Sequence, residues 1–110
     1  MKKRVSIKKN YQFKHILNKG KRKNNKITNI YICNNKVQEN RIGIAISKNI
    51  KGSVTRNRIK RLVRQSWYDL RNNTKKGYDI IILVKYYNPN FKQKQFFKEI
   101  EENLKNENII

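Results

Sequence analysis

The stretch RIGIAISKNIKGSVTRNRIKRLVRQSWYDL, residues 41–70, determines the fold because a strand pattern passes directly into a helix pattern. Isoleucines at every second position of Ile42–Ile46 predict a strand with one buried face, and the residues between them leave the other face small and open. From Val54 to about Arg71 the apolar residues recur at helical spacing, and Ser53 is the predicted N-cap.

Two further strands lie before and after this unit in the sequence. Ile27–Lys36 predicts a strand that places Tyr31 on the face opposite to Ile30 and Ile32. Tyr78–Val84 is apolar on both faces, which is typical of a strand inside a sheet. Because a single helix separates this strand from the preceding one, we expect the two to lie parallel.

Helices near the two ends of the chain complete the fold. A short N-terminal helix carries Phe13 and Leu17 and ends before Gly20, and a last helix has one apolar stripe. The segment Lys21–Lys26 is expected to form a polar, basic loop. The resulting order α-β-β-α-β-α predicts an α+β fold, a single two-layer sandwich in which residues 1–110 form one domain.

Positive charge dominates the composition. Lys and Arg number 28 against 7 acidic residues, giving a formal net charge of +21, and residues 1–38 contain no acid. Such a chain repels itself, so we expect it to bind a polyanion. Because the cations are spread along the whole chain and not gathered in one amphipathic anchor, nucleic acid is favoured over a membrane surface.

The composition also argues against a membrane span and against cysteine chemistry. The longest apolar run, Ile80–Val84, is far too short to cross a bilayer. Cys33 is the single cysteine, so an internal disulfide and a cysteine metal cluster are both excluded. A reducing compartment is the simplest expectation, and we therefore expect the protein in the cytoplasm.

The helix predicted at 54–71 has two contrasting faces. At 100° per residue, an apolar stripe runs through Ile59, Val63 and Leu70, and a polar row falls opposite to it. The row consists of Asn57, Arg61, Arg64 and Tyr68, with Arg58 and Lys60 on either side and Arg56 nearer the apolar border. Exposed helix faces normally mix both signs of charge, but this helix has no acid before Asp69. Arginine forks match phosphate oxygens, so the row predicts a surface for nucleic acid.

The same helix carries a recognisable motif. Residues Gly52–Gln65, GSVTRNRIKRLVRQ, closely resemble the signature of the bacterial ribonuclease P protein subunit. The strand Arg41–Lys48 resembles that family too, as does the opening pattern of a basic segment, a Phe-bearing helix and a glycine. The resemblance extends to about residue 85. It implies the family's left-handed strand-helix-strand crossover, which is an exception to the usual right-handed rule.

The resemblance also implies a role in a ribonucleoprotein. In that family the RNA subunit, with bound Mg²⁺, removes the 5′ leader from precursor tRNA, while the protein binds the catalytic RNA and the leader. The protein is therefore part of an endoribonuclease, but it is expected to have no catalytic or metal-binding residues of its own. The implied partners are the catalytic RNA and precursor tRNA, with no membrane and no further protein required.

By position, the resemblance assigns two groups of residues. The group for the catalytic RNA comprises Arg56, Asn57, Arg58, Lys60, Arg61 and Arg64. The group for the leader-binding cleft comprises Phe13, Leu17, Tyr31, Ser47 and Lys48. Three positions depart from the family pattern: Leu17 stands where an aromatic is common, Ser6 where an arginine is common although Arg4 is nearby, and Gly52 one position after the usual glycine.

Two other classes of protein are compatible with parts of this sequence. A ribosomal protein or an RNA chaperone would share the charge and the fold class. A stand-alone nuclease needs clustered carboxylates or a paired histidine, whereas His15, Asp69 and Asp79 are isolated in the sequence. Three aromatic residues can stack on RNA, although packing in the core or at its rim is the expected role: Trp67, Tyr86 and Tyr87.

Overall fold

The computed structural model describes residues 10–110, with side chains from Phe13 onward, so Arg4 and Ser6 lie outside the described residues. The elements are α1 (Asn10–Lys19), β1 (Lys21–Asn24), β2 (Thr28–Asn34), β3 (Arg41–Ile46), α2 (Ser53–Leu70), a 3₁₀ turn (Arg71–Asn73), β4 (Tyr78–Val84) and α3 (Gln93–Asn106). The sheet order is β1-β2-β4-β3, and β4 pairs with β2 antiparallel and with β3 parallel. The predicted α+β class, the interior strand and the parallel pair are confirmed.

The segment Lys21–Asn24 forms strand β1, so the prediction of a loop at these residues is wrong. β1 pairs antiparallel with β2 at the edge of the sheet, from Lys21 opposite Ile32 to Asn24 opposite Asn29. A strand is predicted from alternating apolar and polar residues, and β1 has no such alternation because it consists of three cations and an amide. Backbone hydrogen bonds to β2 hold this strand instead, and charged side chains are typical of protected sheet edges.

Helices cover both faces of the sheet. On one face, α2 and α3 enclose the main core, in which Phe96, Ile100 and Leu104 of α3 are fully buried. On the other face, α1 packs Ile16 against Tyr31 and Ile81. α1 therefore adds a short third layer to the predicted two-layer sandwich. The crossover from β3 through α2 to β4 joins neighbouring strands, and its left-handed sense stays a prediction.

The prediction that Ser53 is the N-cap of α2 is wrong. Gly52 occupies the N-cap position with φ of 93°, in the left-handed region that favours glycine. The Gly52 carbonyl accepts the first helical hydrogen bond, from the backbone N–H of Arg56 at 3.0 Å. Because the glycine permits this turn, the helix begins with Ser53 itself, one residue before the predicted start.

A carboxylate on α3 fixes the start of β2. Glu99 accepts hydrogen bonds from the backbone N–H groups of Ile27 and Thr28, both at 3.0 Å, and from the Thr28 hydroxyl at 2.7 Å. We expect Glu99→Gln to lower the free energy of unfolding by about 2 kcal/mol, because bonds to a charged acceptor are the stronger ones and the new amide nitrogen faces N–H donors. Urea titration measures this change.

The matched control for Glu99→Gln is Glu102→Gln. Glu102 is exposed on the same helix, and substitutions at such positions usually change stability by less than about 0.5 kcal/mol. Both substitutions remove one negative charge, so the difference between the two variants isolates the contacts of Glu99. Equal urea midpoints for the two variants would show that Glu99 does not hold β2.

Two ion pairs tie β1 to the end of α3. Glu107 Oε2 lies 2.7 Å from Lys23 Nζ, and Glu107 Oε1 lies 3.3 Å from Lys21 Nζ. The bonded Lys23 ammonium is the main cause that lowers the pKa of Glu107; burial opposes it, and Lys21 acts in the same direction as Lys23. A carboxyl group with a lowered pKa in the folded state stabilises that state wherever the group is ionised.

The ion pairs of Glu107 predict a pH-dependent contribution to stability. The stabilisation is fully present above the pKa of an unfolded glutamate and is lost as the pH falls through the lower folded-state pKa. Glu107→Gln should therefore have a lower melting temperature than the parent protein at neutral pH, and the difference should disappear in acid. Melting curves of both proteins from neutral to acidic pH check this, and a difference independent of pH would contradict it.

Candidate nucleic-acid interface

The outer face of α2 carries the polar row predicted from the sequence, which we call the α2 row. The apolar stripe is buried on the opposite side, at Ile59, Val63, Ser66, Trp67 and Leu70. The exposed residues of the outer face are Asn57, Arg58, Arg61 and Arg64, while Lys60 is half-buried beside them. Tyr68 is 38% exposed. The predicted division of the helix into an apolar face and a polar face is confirmed.

The cations of the α2 row lack acidic partners in the part of the chain that the structure describes. The ion pairs there involve Lys21, Lys23, Arg41 and Lys105 as the cations. Asp69, which follows the row, accepts a hydrogen bond from Gln93 on α3. Like charges along one helix face repel each other, so the α2 row is unfavourable until a polyanion neutralises it.

One cation that the sequence analysis missed extends the α2 row. The guanidinium of Arg71, just after the end of α2, lies 4.6 Å from the ring centroid of Tyr68, within the range of cation–π contacts. Members of the row are alternately four and three residues apart, and Arg71 follows Tyr68 by three. The spacing in the sequence therefore already indicated that Arg71 belongs to the row. The pair presents a charged, planar group at the end of the face, and such groups suit RNA.

Arg56 has an environment unlike that of the other residues assigned to the catalytic RNA. Its guanidinium donates hydrogen bonds to the backbone carbonyl oxygens of Ile46 at 3.3 Å, Ser47 at 3.1 Å and Ile50 at 2.9 Å. These bonds fix the loop between β3 and α2. They also use guanidinium N–H groups that were predicted from the sequence to bind RNA. Arg56 therefore holds the end of β3 next to the start of α2.

The aromatic and apolar residues assigned to the cleft lie on the face of the sheet that α1 covers. Phe13 is half-buried at the rim of the cluster formed by Ile16, Tyr31 and Ile81. Leu17, one turn later on α1, is 42% exposed. Tyr31 lies on the predicted face but is only 8% exposed, because it packs against Ile16. Phe13 and Leu17 can therefore meet a ligand, whereas Tyr31 chiefly supports α1 from below.

Small residues form the neighbouring part of this face. In the parallel pair β3–β4, Gly43 lies opposite Ile81 and Ala45 lies opposite Leu83, so these residues share the face that α1 covers. α1 itself packs on β2 and β4. The strip of β3 beside the helix, which we call the groove, therefore carries only small side chains.

The two predicted groups of residues approach each other at the edge of the sheet where strands β3 and β4 end. Ser47 follows β3, and its backbone N–H donates to the carbonyl oxygen of Val84 at 2.9 Å, while Lys48 is exposed. The Arg56 guanidinium binds the Ser47 carbonyl oxygen, and Asn57 is the next residue of α2, so the start of the polar row lies close to this edge. The structure thus brings Ser47, which was assigned to the cleft from the sequence, close to the start of the α2 row.

The isolated acids and the histidine have no catalytic arrangement in the described part of the chain. Asp79 accepts two hydrogen bonds from Arg41, at 2.7 and 2.8 Å, and one from Asn35 at 2.8 Å, and His15 is exposed on α1. Among residues 10–110, no three His, Cys, Asp or Glu side chains converge as a metal site, and no helix has the length and hydrophobicity of a bilayer span.

Sequence comparison relates the chain to one protein family. The family model described as Ribonuclease P matches residues 1–107. The ribonuclease P protein component of Clostridium botulinum strain Langeland is 39% identical over 101 residues, which cover 91% of this chain and 87% of that protein. The corresponding protein of Alkaliphilus metalliredigens is 39% identical over 98 residues, which cover 89% of this chain and 85% of that protein.

Solved structures show the same relationship. The RNase P protein of Staphylococcus aureus superposes with a TM-score of 0.83 at 31% identity, covering 97% of this chain and 98% of that chain. The RNase P protein of Thermotoga maritima superposes with a TM-score of 0.83 at 20% identity, covering 94% and 97% of the two chains. The similarity to the Thermotoga protein is one of fold alone, whereas the Staphylococcus protein is similar in both fold and sequence.

Proposed function

The chain belongs to the ribonuclease P protein family, and from this premise we propose that it binds the catalytic RNA of ribonuclease P and the 5′ leader of precursor tRNA. As the protein component of a ribonuclease that processes tRNA, it assists the cut that produces the mature 5′ end. The observation that carries this proposal is the α2 row, whose exposed cations lie within the family motif and lack acidic partners among the described residues.

In this proposal the α2 row contacts the catalytic RNA. Arg58, Arg61 and Arg64 are exposed and offer planar forks to phosphate oxygens, and Lys60 adds a positive charge beside them. Asn57 can bond to a sugar or to a base edge. Arg56 contributes through the loop that it holds rather than through a free guanidinium. Phosphate contacts of this kind make the affinity depend steeply on salt concentration.

The leader is proposed to lie in the groove beside α1. Single strands are held by stacking of their bases on aromatic side chains in a basic groove. Phe13 offers a half-buried ring at the rim, and Leu17 offers apolar surface without a ring. Ser47 and Lys48 supply a hydroxyl and a positive charge where the groove meets the end of β3. Tyr31 supports this wall from beneath.

The cleavage chemistry is proposed to belong to the RNA subunit. Mg²⁺ prefers carboxylate and phosphate oxygens, and the described residues of this chain offer no cluster of carboxylates to hold it. The ion therefore fits the RNA and its substrate better than it fits these side chains. The part played by the protein is to neutralise phosphates and to position the leader, and no further protein is required.

Copurification tests this proposal against a role in the ribosome or as an RNA chaperone. The tagged protein, isolated from cells at moderate salt, should bring with it one structured RNA of a few hundred nucleotides together with precursor tRNA. The reason is that the α2 row and the groove recognise two different RNAs in one complex. Recovery of ribosomal RNA and ribosomal proteins in its place would favour the alternative role.

A further inference from the structure

The structure separates the three aromatic residues that the sequence analysis left with two possible roles. Trp67 is 8% exposed within the core, and Tyr87 is half-buried against it. Tyr86, in the loop that joins β4 to α3, is 54% exposed. Packing therefore accounts for Trp67 and Tyr87, but it leaves about half of Tyr86 exposed to solvent.

The ring of Tyr86 is nevertheless held in place. It meets Phe91 edge to face, with centroids 5.7 Å apart and an interplanar angle of 72°. Phe91 in turn contacts Phe96 edge to face at 6.3 Å, and Phe96 is fully buried. A ring that is both exposed and anchored loses little conformational freedom when a partner stacks on it, which favours binding.

Backbone hydrogen bonds place Tyr86 at the edge of the sheet where the groove ends. Val84, the last residue of β4, accepts a bond from Ser47 at 2.9 Å. Lys85 and Tyr86 donate to the carbonyl oxygen of Ile27, at 2.9 and 3.3 Å. Tyr86 therefore lies at the same edge as Ser47, and its ring packs with Phe91 toward the face that α2 and α3 cover. A strand that lies beside α1 reaches this ring by passing around the edge.

Lysines surround this edge, where Glu99 is bonded to the backbone of β2 and Glu102 lies beside Lys26. Lys48 follows Ser47, Lys26 precedes Ile27, and Lys85 precedes Tyr86 in the chain. In the described part of the protein, none of these three lysines belongs to an ion pair. A ring among unpaired cations matches a single-stranded nucleic acid, which presents both phosphates and base faces, whereas a duplex hides its base faces in the stack.

From these observations we infer that Tyr86 is a stacking platform for a base of the precursor tRNA leader, where the leader passes the edge at which β3 and β4 end. The inference rests on the proposed function, since it extends the leader path from the groove to this edge. Lys26, Lys48 and Lys85 hold the phosphates on either side of the stacked base. The leader contact then involves the loop after β4 as well as α1 and β3.

The test compares Tyr86→Ala and Tyr86→Phe in the complex reconstituted with the catalytic RNA. Affinities are measured for precursor tRNA with a long leader, for precursors with successively shortened leaders, and for mature tRNA. Tyr86→Ala should weaken binding of the long-leader precursor by about five- to a hundredfold and leave mature tRNA unchanged. Tyr86→Phe keeps the ring and should bind like the parent. Val37→Ala, at an exposed apolar residue in the β2–β3 loop, is the control.

Each outcome bears on a different part of the account. If the parent complex binds precursor and mature tRNA equally well, the proposed function fails and the inference fails with it. If the parent prefers the precursor and Tyr86→Ala keeps that preference, the inference alone is overturned. Equal weakening of precursor and mature tRNA by Tyr86→Ala would also overturn it, because the ring would then touch the tRNA body or the catalytic RNA.

Discussion

Replacing Arg61 and Arg64 together with alanine should weaken assembly with the catalytic RNA by about a hundredfold near 0.1 M salt, because each arginine–phosphate interaction contributes roughly tenfold to the affinity there. Both side chains are exposed on the α2 row and lie opposite the buried stripe, so the fold should stay intact. The salt dependence of binding should also become less steep, by about one to two units of the logarithmic slope. Filter binding at several salt concentrations measures both effects.

The control for this double variant is Lys75→Ala with Lys76→Ala. These lysines are exposed in the segment before β4, away from the α2 row, and their replacement removes the same two charges. If binding depends only on total charge, both double variants should weaken it equally. A parent-like affinity for the Arg61 and Arg64 variant at physiological salt, with an unchanged melting temperature, would show that the RNA-facing surface lies elsewhere.

Phe13→Ala should weaken binding of precursor tRNA to the assembled complex by about five- to a hundredfold while mature tRNA is bound as before, because stacking on one base is worth roughly 1–3 kcal/mol. Phe13 also packs at the rim of the cluster around Ile16, so the variant should lose some stability as well. Binding is therefore measured at a temperature at which melting curves show parent and variant fully folded.

The matched variant in the opposite direction is Leu17→Phe. Leu17 is 42% exposed one turn after Phe13, so a ring fits there without disturbing the core. This variant should bind precursor tRNA several-fold more tightly than the parent and mature tRNA equally well. If Phe13→Ala weakens binding of precursor and mature tRNA equally, and Leu17→Phe does not strengthen binding of precursor tRNA, the leader does not bind in this groove.

The sequence predicted the parts of the fold in which periodicity and burial coincide. α2 separates apolar from cationic residues at helical spacing. β4 is apolar on both faces because α1 covers one face of the sheet and α2 and α3 cover the other. β1 could not be predicted in this way. Its pairing with β2 depends on backbone hydrogen bonds at a sheet edge, and those bonds leave no mark on the pattern of side chains.

The candidate site shows a similar limit. Residue type and helical spacing identified the α2 row, and they also contained the signal for Arg71. They could not reveal that Arg56 binds three carbonyl oxygens of the preceding loop, because those contacts exist only once β3 and α2 are packed together. Alternation along β2 placed Tyr31 on the correct face, but its degree of burial depends on α1, which packs over it.

The most direct test of the central claim is reconstitution of precursor tRNA cleavage at low magnesium concentration. The protein, the catalytic RNA and their mixture are each incubated with precursor tRNA labelled at its 5′ end, and the released fragment is sized on a gel. We predict that cleavage at the mature 5′ end appears only when protein and RNA are both present. Cleavage by RNA-free protein, or cleavage by the RNA that the protein does not improve, would contradict the account.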